Sequence, residues 1–359
     1  MRARAPRRGK YGRHKPAAIL SKPLERVVID PRNRYVLGPQ LLCAAAELPL
    51  DESEVRRWEA DAVAGQLVDD GLLRRRGTKF YPAAGLEAHG AVDIRGFTGG
   101  QVAILEAGTG RILGSTAAGQ APASIHPGAV YLHQGESYLV DSLDLEDGVA
   151  FVHAENPGYT TFARETVGIH VTADGRRRDH GGVTSGFVPV SVTHQVIGYL
   201  RRRLSGEVID FVELEMPEFT LETTAAMYTI EPEVLADNGI GPARVAGSLH
   251  AAEHAAIGLL PLVASCDRGD IGGVSTANGE RGLPTVFVYD GHPGGAGFAE
   301  RGYQQLGTWL SATAAAIRAC ECDRGCPSCV QSPKCGSGND PLDKEGALSV
   351  LDCVLARLA

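Results

Sequence analysis

The sequence predicts an α+β multidomain protein: a winged-helix-like module, a small β-rich domain and an α/β C-terminal domain with a four-cysteine knuckle. Three observations support this prediction. Two helical segments and a basic strand pair lie near the N-terminus, short strands separated by turn residues follow, and four cysteines fall within ten residues near the C-terminus. A chain of 359 residues is long enough for two or three domains with buried cores.

The composition is ordinary for a soluble protein, with 43% hydrophobic and 22% charged residues. No apolar run is long enough to cross a membrane. The segment from Met1 to Lys15 is basic and lacks the apolar core of a secretory signal, so we expect a cytoplasmic protein with reduced thiols. The net charge of -8 argues against a uniformly basic nucleic-acid binder.

Positive charge is nevertheless concentrated at the N-terminus. Residues 1–34 hold 11 Lys and Arg residues, and only Glu25 and Asp30 oppose them. We predict that residues 1–32 form a basic, disordered arm. Such an arm can contact phosphate groups, and the alternative is a tail that results from a misassigned start codon.

Residues 33–84 are predicted to form the winged-helix-like module. One helix has its apolar residues at helical spacing: Leu37, Leu41, Leu42 and Ala45. Asp51 is expected to cap a second helix over residues 52–69, whose inward positions would be Val55, Trp58, Ala62 and Leu67. A basic strand pair completes the module and supplies the candidate nucleic-acid contacts Arg74, Arg75, Arg76 and Lys79. The alternative is a packing module whose arginines are a solvated charge run.

Residues 85–185 are predicted to form a β-rich domain. Short apolar runs over 102–105, 129–132 and 137–140 alternate with Gly, Pro and Asp, which indicates a small barrel or sandwich. No catalytic constellation is evident in this segment. We interpret His133 and His153 as strand residues and not as ligands.

The C-terminal domain is predicted over residues 186–359. Strands come first, and a helix with one apolar face begins near Ala243. A buried strand over 285–290 leads through the glycine-rich segment 294–297 into a helix near Phe298. Main-chain N–H groups of that segment could hold an anion, although a tight turn explains the glycines equally well. Asp290, at the end of the strand, is a candidate functional or structural residue.

Four cysteines form the strongest chemical signal: Cys320, Cys322, Cys326 and Cys329, spaced C-x-C-x3-C-x2-C. Such density indicates a metal site or a disulfide cluster, and reduced thiols favour metal. Zn2+ in a tetrahedral four-thiolate shell is the predicted cofactor, with an iron–sulfur cluster as the rival. Cys335 is a fifth nearby thiol and leaves the ligand set ambiguous.

Five blocks of the sequence carry a family resemblance: 249–256, 266–273, 289–297, the cysteine knuckle, and 331–339. In this order they resemble the C-terminal, MrfA-like zinc-binding region of bacterial DEAD/DEAH-box superfamily 2 helicases of the mitomycin repair factor type. The resemblance begins near Lys22 and covers most of the chain. It implies a winged helix, a DNA partner, and a metal held by the four knuckle cysteines.

The segment His250-Ala251-Ala252-Glu253-His254 permits another interpretation. An H-x-x-E-H helix places two imidazoles one turn apart, as inverzincin peptidases require, with Glu253 as general base. No third ligand is evident for such a site. The resemblance identifies this block as a family hallmark without peptidase activity, so a structural role for His250, Glu253 and His254 is the main expectation.

The sequence has neither a G-x-x-x-x-G-K-[ST] phosphate loop nor an Asp-Glu-x-His box. The two ATP-hydrolysing lobes of the family are therefore not represented in it. We predict a zinc-binding accessory region of a DNA-repair helicase that helps bind or position DNA. ATP hydrolysis would come from a separate motor polypeptide or be lost. The alternatives are a stand-alone zinc hydrolase built on the H-x-x-E-H helix and a protein-assembly module.

Overall fold

A computed structural model of the protein describes residues 27–92, 100–333 and 335–358. Most of the predicted basic arm, residues 1–26, lies outside the described residues. The mixed helices and sheets, the winged-helix module and the four-cysteine cluster confirm the predicted fold class. The limits predicted for the individual domains stay predictions.

The N-terminal module is built from three helices and a three-stranded antiparallel sheet in the order β1-β3-β2. Its elements are α1 (Arg34–Glu47), β1 (Leu50–Asp51), α2 (Glu52–Arg57), α3 (Asp61–Asp69), β2 (Leu73–Arg76) and β3 (Lys79–Pro82). Asp51 caps α2 with a complete capping box, as its position predicts. The helices and the sheet enclose one apolar core.

The predicted single helix over residues 52–69 is wrong. It is divided into α2 and α3 because Glu59 adopts a left-handed conformation with φ 54°. The break rotates the second half of the segment. Trp58 is therefore 42% exposed and Ala62 is exposed, whereas Ala60 and Ala64 take the inward positions beside the correctly predicted Val55 and Leu67.

A five-stranded sheet with the order β5-β4-β8-β7-β6 follows. Its elements are β4 (Gln101–Glu106), β5 (Ile112–Ala117), a short helix α4 (Ala121–Ser124), β6 (Val130–His133), β7 (Glu136–Asp144) and β8 (Val149–Ala154). All neighbouring strands are antiparallel except β4 and β8, which are parallel. The predicted short strands are therefore present, and they share a small apolar core of their own.

The largest sheet is organised around one strand of 21 residues, β11 (Val183–Arg203). Six strands join it: β9 (Tyr159–Val171), β10 (Arg176–Asp179), β12 (Val208–Glu213), β13 (Phe219–Ile230), β14 (Ile271–Thr276) and β15 (Thr285–Asp290). The first part of β11 pairs with β10 and β13, and its second part pairs with β9 and β12. Strands β15 and β14 extend the sheet beyond β13.

Helices cover one face of this sheet. They are α5 (Pro232–Asp237), α6 (Pro242–Leu259), α7 (Pro261–Ala264), α8 (Phe298–Gln304), α9 (Leu306–Ala319) and α10 (Lys344–Leu358). Helix α6 packs against β14 and α10, and the main core forms around it. A second apolar cluster, which includes Val190 and Phe287, covers the opposite face. Among the described residues, no helix is long and apolar enough to span a membrane.

Candidate metal centre and nucleic-acid interface

The four knuckle cysteines converge immediately after α9. The sulfur–sulfur distances are 3.6 Å for Cys320–Cys322, 3.5 Å for Cys320–Cys326, 3.5 Å for Cys322–Cys329 and 3.9 Å for Cys326–Cys329. All four thiols are free, because a disulfide would bring two sulfurs to about 2.05 Å. Tetrahedral bonds of about 2.3 Å to one ion would separate the sulfurs by about 3.8 Å, so the group fits a single metal ion.

Local turns produce this convergence. The main-chain N–H of Cys329 donates to the carbonyl of Cys326 at 3.0 Å, and the N–H of Cys326 donates to the Cys329 sulfur at 3.3 Å. Gly325 has φ 106°, and a Cβ atom there would lie 2.5 Å from a methyl group of Val330. Glycine is therefore required at this turn.

The surroundings act on the knuckle thiols in opposite directions: burial raises the pKa of Cys329 to about 12, whereas hydrogen bonds favour the thiolate of Cys326. The main-chain hydrogen bond from Ser328, followed by the thiol of Cys320, lowers the pKa of Cys326 to about 7. Lys344, the first residue of α10, donates to the carbonyls of Cys320 and Cys322, and its Nζ lies 3.4 Å from the Cys322 sulfur. Its ammonium group therefore offsets part of the negative charge that four thiolates would carry. Sequence spacing gave no sign of this residue, which is 15 residues beyond Cys329.

A second group of potential ligands lies outside the knuckle. His250 and His254, one turn apart on α6, meet Cys335, and the three ligand atoms lie within 4.8 Å of one another. His250 Nε2 is 3.4 Å from the Cys335 sulfur. Cys335, the ambiguous fifth thiol of the sequence, is thus placed with the two histidines and not with the four knuckle cysteines. Glu253 is 5% exposed, and burial raises its pKa.

The Cys335 sulfur is held in a polar environment. It accepts a hydrogen bond from the main-chain N–H of Asn339 at 3.2 Å and lies 3.1 Å from Ser337 Oγ. Burial acts to raise its pKa, but the hydrogen bonds from His250, His254 and its other neighbours outweigh burial and lower the pKa to about 4. The surroundings of Cys335 therefore favour the thiolate, which is the form that binds metal ions.

The glycine-rich segment 294–297 does bind an anionic group, and that group is Asp290. This carboxylate is fully buried and accepts main-chain hydrogen bonds from Ala296 at 2.7 Å, Gly297 at 2.9 Å and Ala299 at 2.8 Å. The N–H groups considered for an external anion are therefore bonded to a residue of the same chain. Burial raises the pKa of Asp290, although these three bonds oppose the effect.

The candidate nucleic-acid residues of the wing lie on two different faces. In the β2–β3 pairing, Arg74 is opposite Tyr81 and Arg76 is opposite Lys79, so these four side chains share one face. Arg74, Arg76 and Lys79 are exposed. We call these three residues the basic wing face.

Arg75 has a different environment. It lies opposite the buried Phe80, and its guanidinium pairs with Glu52 at 2.7 Å. Consecutive residues of a strand point to opposite faces, so the run of three arginines is not one charged surface. The structure separates Arg75 from the other candidate residues.

The architecture and the cysteine knuckle define a winged-helix protein with a cysteine-rich metal-binding domain. Two families match parts of the chain: "ATP-dependent helicase HRQ1, winged helix domain" over residues 29–97, and "MrfA Zn-binding domain" over residues 252–330. The second match includes the four knuckle cysteines but neither His250 nor Cys335.

Similar proteins agree with these matches. The "Uncharacterized ATP-dependent helicase YprA" of Bacillus subtilis is 28% identical over 88% of this chain and 42% of its own length. The "Uncharacterized protein MJ1572.1" of Methanocaldococcus jannaschii is 37% identical over 30% of this chain and 100% of its own length. The crystal structure of the "DUF1998 helicase MrfA bound to DNA" aligns with a TM-score of 0.59 and 27% identity, over 98% of this chain and 47% of that one.

The chain belongs to the family of MrfA- and Hrq1-type helicases and corresponds to their C-terminal part. It spans less than half the length of the helicase relatives that it matches, 42% in the case of YprA. The predicted family, zinc-binding domain and winged helix are therefore confirmed.

Proposed function

We propose that this chain is the zinc-binding accessory region of a DNA-repair helicase and that it helps to bind or position DNA. The observation that carries the proposal is the basic wing face on a module similar to the HRQ1 winged helix. A wing of this kind can contact the phosphate backbone. The similar MrfA helicase is described as bound to DNA, which supports the same partner here.

The proposed metal is zinc, held by Cys320, Cys322, Cys326 and Cys329. The domain match and the sulfur–sulfur distances of 3.5–3.9 Å support a mononuclear site. A polynuclear iron–sulfur cluster distributes its thiolates over several iron atoms, so its ligand sulfurs would stand further apart. Bound there, zinc would join the chain after α9 to the rest of the domain.

The motor activity is proposed to lie outside these 359 residues, because the sequence has no phosphate-binding loop. A separate motor polypeptide is one source of it. The reducing cytoplasm is the proposed compartment, since the described cysteines are free thiols.

The DNA role is tested with the basic wing face. Changing Arg74, Arg76 and Lys79 together to alanine should weaken binding to a fluorescent DNA duplex and flatten its salt dependence, because each lost phosphate contact reduces counterion release. Loss of three contacts should make the negative slope of log K against log salt shallower by about 2.7. The measurement is a fluorescence-anisotropy titration at four or more salt concentrations.

Two variants serve as controls. Arg75→Ala removes an arginine of the same strand that pairs with Glu52, and Arg324→Ala removes the arginine of the cysteine knuckle. Both should retain the parental salt slope. If the triple variant binds like the parent and Arg324→Ala binds weakly, the DNA-binding surface does not lie on the basic wing face but near the cysteine knuckle.

The metal is tested by elemental analysis of the purified chain and of Cys326→Ser. Zinc bound to the knuckle in the parent and absent from the variant is the expected result, together with a lower unfolding midpoint, because structural zinc contributes directly to folding. A brown protein with stoichiometric iron that disappears in Cys326→Ser would establish the iron–sulfur alternative.

A further inference from the structure

The geometry points to a second metal site, separate from the cysteine knuckle, in which His250, His254 and Cys335 bind one Zn2+ ion. Its third ligand is the residue missing from the H-x-x-E-H interpretation of the sequence. Cys335 lies 85 residues beyond His250, and a loop after the knuckle brings it to α6. This inference does not depend on the proposed DNA role.

The two imidazoles are oriented by main-chain carbonyls. His250 Nδ1 lies 2.9 Å from the carbonyl oxygen of Pro341, and His254 Nδ1 lies 2.9 Å from that of Val330. A carbonyl oxygen only accepts hydrogen bonds, so each Nδ1 carries the proton. In the neutral rings Nε2 therefore carries no proton, and its lone pair is free to bind a metal ion, as a metal-binding histidine requires.

The ligand distances fit one tetrahedral ion. Bonds of about 2.0 Å to nitrogen and about 2.3 Å to sulfur would place a nitrogen and a sulfur about 3.6 Å apart. His250 Nε2 and the Cys335 sulfur are 3.4 Å apart, and all three ligand atoms lie within 4.8 Å of one another. Two histidines and one thiolate form a ligand set that suits Zn2+.

The loop that carries Cys335 is held in place by Asn339. The side chain of Asn339 accepts from the N–H of Ser332 at 2.8 Å and donates to its carbonyl at 3.0 Å, and its own N–H donates to the Cys335 sulfur at 3.2 Å. Asn339 has a left-handed conformation with φ 66°, which asparagine adopts more readily than most residues. Asn339 therefore holds the Cys335 sulfur in place beside His250.

The three ligands line a cavity of about 930 Å3, whose wall also includes Glu253, Gly273 and Tyr289. Three protein ligands leave the fourth tetrahedral position to water or to a small ligand from this cavity. The site would thus differ from the knuckle, in which four thiolates complete the shell. Without metal, the same residues would form a thiolate–imidazolium pair between Cys335 and His250.

The test measures zinc and iron per chain in the full-length protein after dialysis against Zn2+ and removal of free ion. The parent should hold one metal ion more than Cys335→Ser, whatever metal fills the knuckle. Cys266→Ser is the matched control, because Cys266 is another partly buried thiol that belongs to neither ligand group. The control should retain the parental content. Equal metal content in the parent and in folded Cys335→Ser would overturn the inference.

A second measurement uses the unmodified sequence and so does not depend on whether a variant folds. Iodoacetamide should alkylate Cys335 rapidly in protein dialysed without Zn2+ under conditions in which elemental analysis shows that the knuckle keeps its metal, and added Zn2+ should slow this reaction at least tenfold, as read by peptide mass spectrometry. The half-saturating Zn2+ concentration should be unchanged in Arg74→Ala, which affects only the DNA proposal. Equal alkylation rates with and without Zn2+ would show that the three residues form only an ion pair.

Discussion

The ammonium group of Lys344 donates hydrogen bonds to the main-chain carbonyls of both Cys320 and Cys322, at 2.7 Å and 2.5 Å. One residue at the start of α10 thereby joins the terminal helix to the cysteine knuckle. Burial acts to lower the pKa of Lys344, but its hydrogen bond to Cys322 and the nearby thiols raise it overall. The lysine is therefore a permanent cation beside the proposed metal.

Lys344→Met should weaken metal retention by about 10- to 100-fold, because residues that orient and neutralise metal ligands commonly have effects of this size. The measurement is the rate of zinc release to a colorimetric chelator. Arg318→Met is the control, since Arg318 forms an exposed pair with Asp352 at 2.9 Å on neighbouring helices. Equal release rates in the parent and Lys344→Met would contradict the role assigned to the lysine.

Asp290→Ala should lower the free energy of unfolding by at least about 3 kcal/mol, because it leaves three main-chain N–H groups without their acceptor. Asp290→Asn should cost less, since its amide oxygen still accepts. Urea unfolding followed by circular dichroism measures both changes. Asp352→Ala removes an exposed carboxylate and should stay within about 1 kcal/mol of the parent. A similarly small effect for Asp290→Ala would refute the structural role.

Gly128→Ala should destabilise the contact between the five-stranded sheet and β11. Gly128 has φ 80°, and a Cβ atom there would lie 2.3 Å from the hydroxyl oxygen of Tyr199. The backbone strain alone costs about 1–2 kcal/mol, and the steric overlap should add about 1–3 kcal/mol. Urea unfolding midpoints measure the difference.

Gly135→Ala isolates the strain, because Gly135 has φ 90° and open space around it. It should be clearly less destabilising than Gly128→Ala. Adding Tyr199→Phe to Gly128→Ala should recover part of the steric cost by removing the hydroxyl. If the two alanine variants unfold at the same midpoint, the contact with Tyr199 does not constrain this position.

Acid should destabilise the protein partly through His126. This histidine is buried, its ring centroid lies 4.5 Å from that of Tyr199, and burial lowers its pKa below 6.5 despite the hydrogen bond to Pro127. A folded-state pKa below the unfolded value means that this contribution is complete above about pH 6.5 and declines as the pH falls through the folded pKa.

The variant that checks this is His126→Asn, whose amide can still donate to the carbonyl of Pro127. Between about pH 7 and pH 5, its unfolding free energy should decline less than that of the parent. His133→Asn makes the same substitution at a partly exposed histidine of β6 and is the matched control for the chemical change. Parallel pH profiles for the parent and His126→Asn would rule out the contribution.

The structural features that depend on residues close together in the sequence could be predicted from it. The four knuckle cysteines fall within ten residues, so short turns alone bring their sulfurs together. The apolar spacing of α1 and α6 and the capping residue Asp51 likewise act within one or two helical turns. The division between α2 and α3 was not predicted. It depends on the left-handed conformation of Glu59, and a glycine, the residue that usually indicates this conformation, is absent from that position.

The sequence by itself determined the family, the order of the modules and the residues of the cysteine knuckle, because each rests on local spacing or on contiguous motifs. Only the tertiary structure decided that Cys335 meets His250 and His254 and that the Asp290 carboxylate accepts the N–H groups of the glycine-rich turn. It also decided that Arg75 pairs with Glu52 and is not part of the basic wing face. These contacts depend on how a loop packs on a helix, how a turn closes on a strand, and how strands pair. Packing of this kind is a property of the whole core, and no short stretch of sequence encodes it.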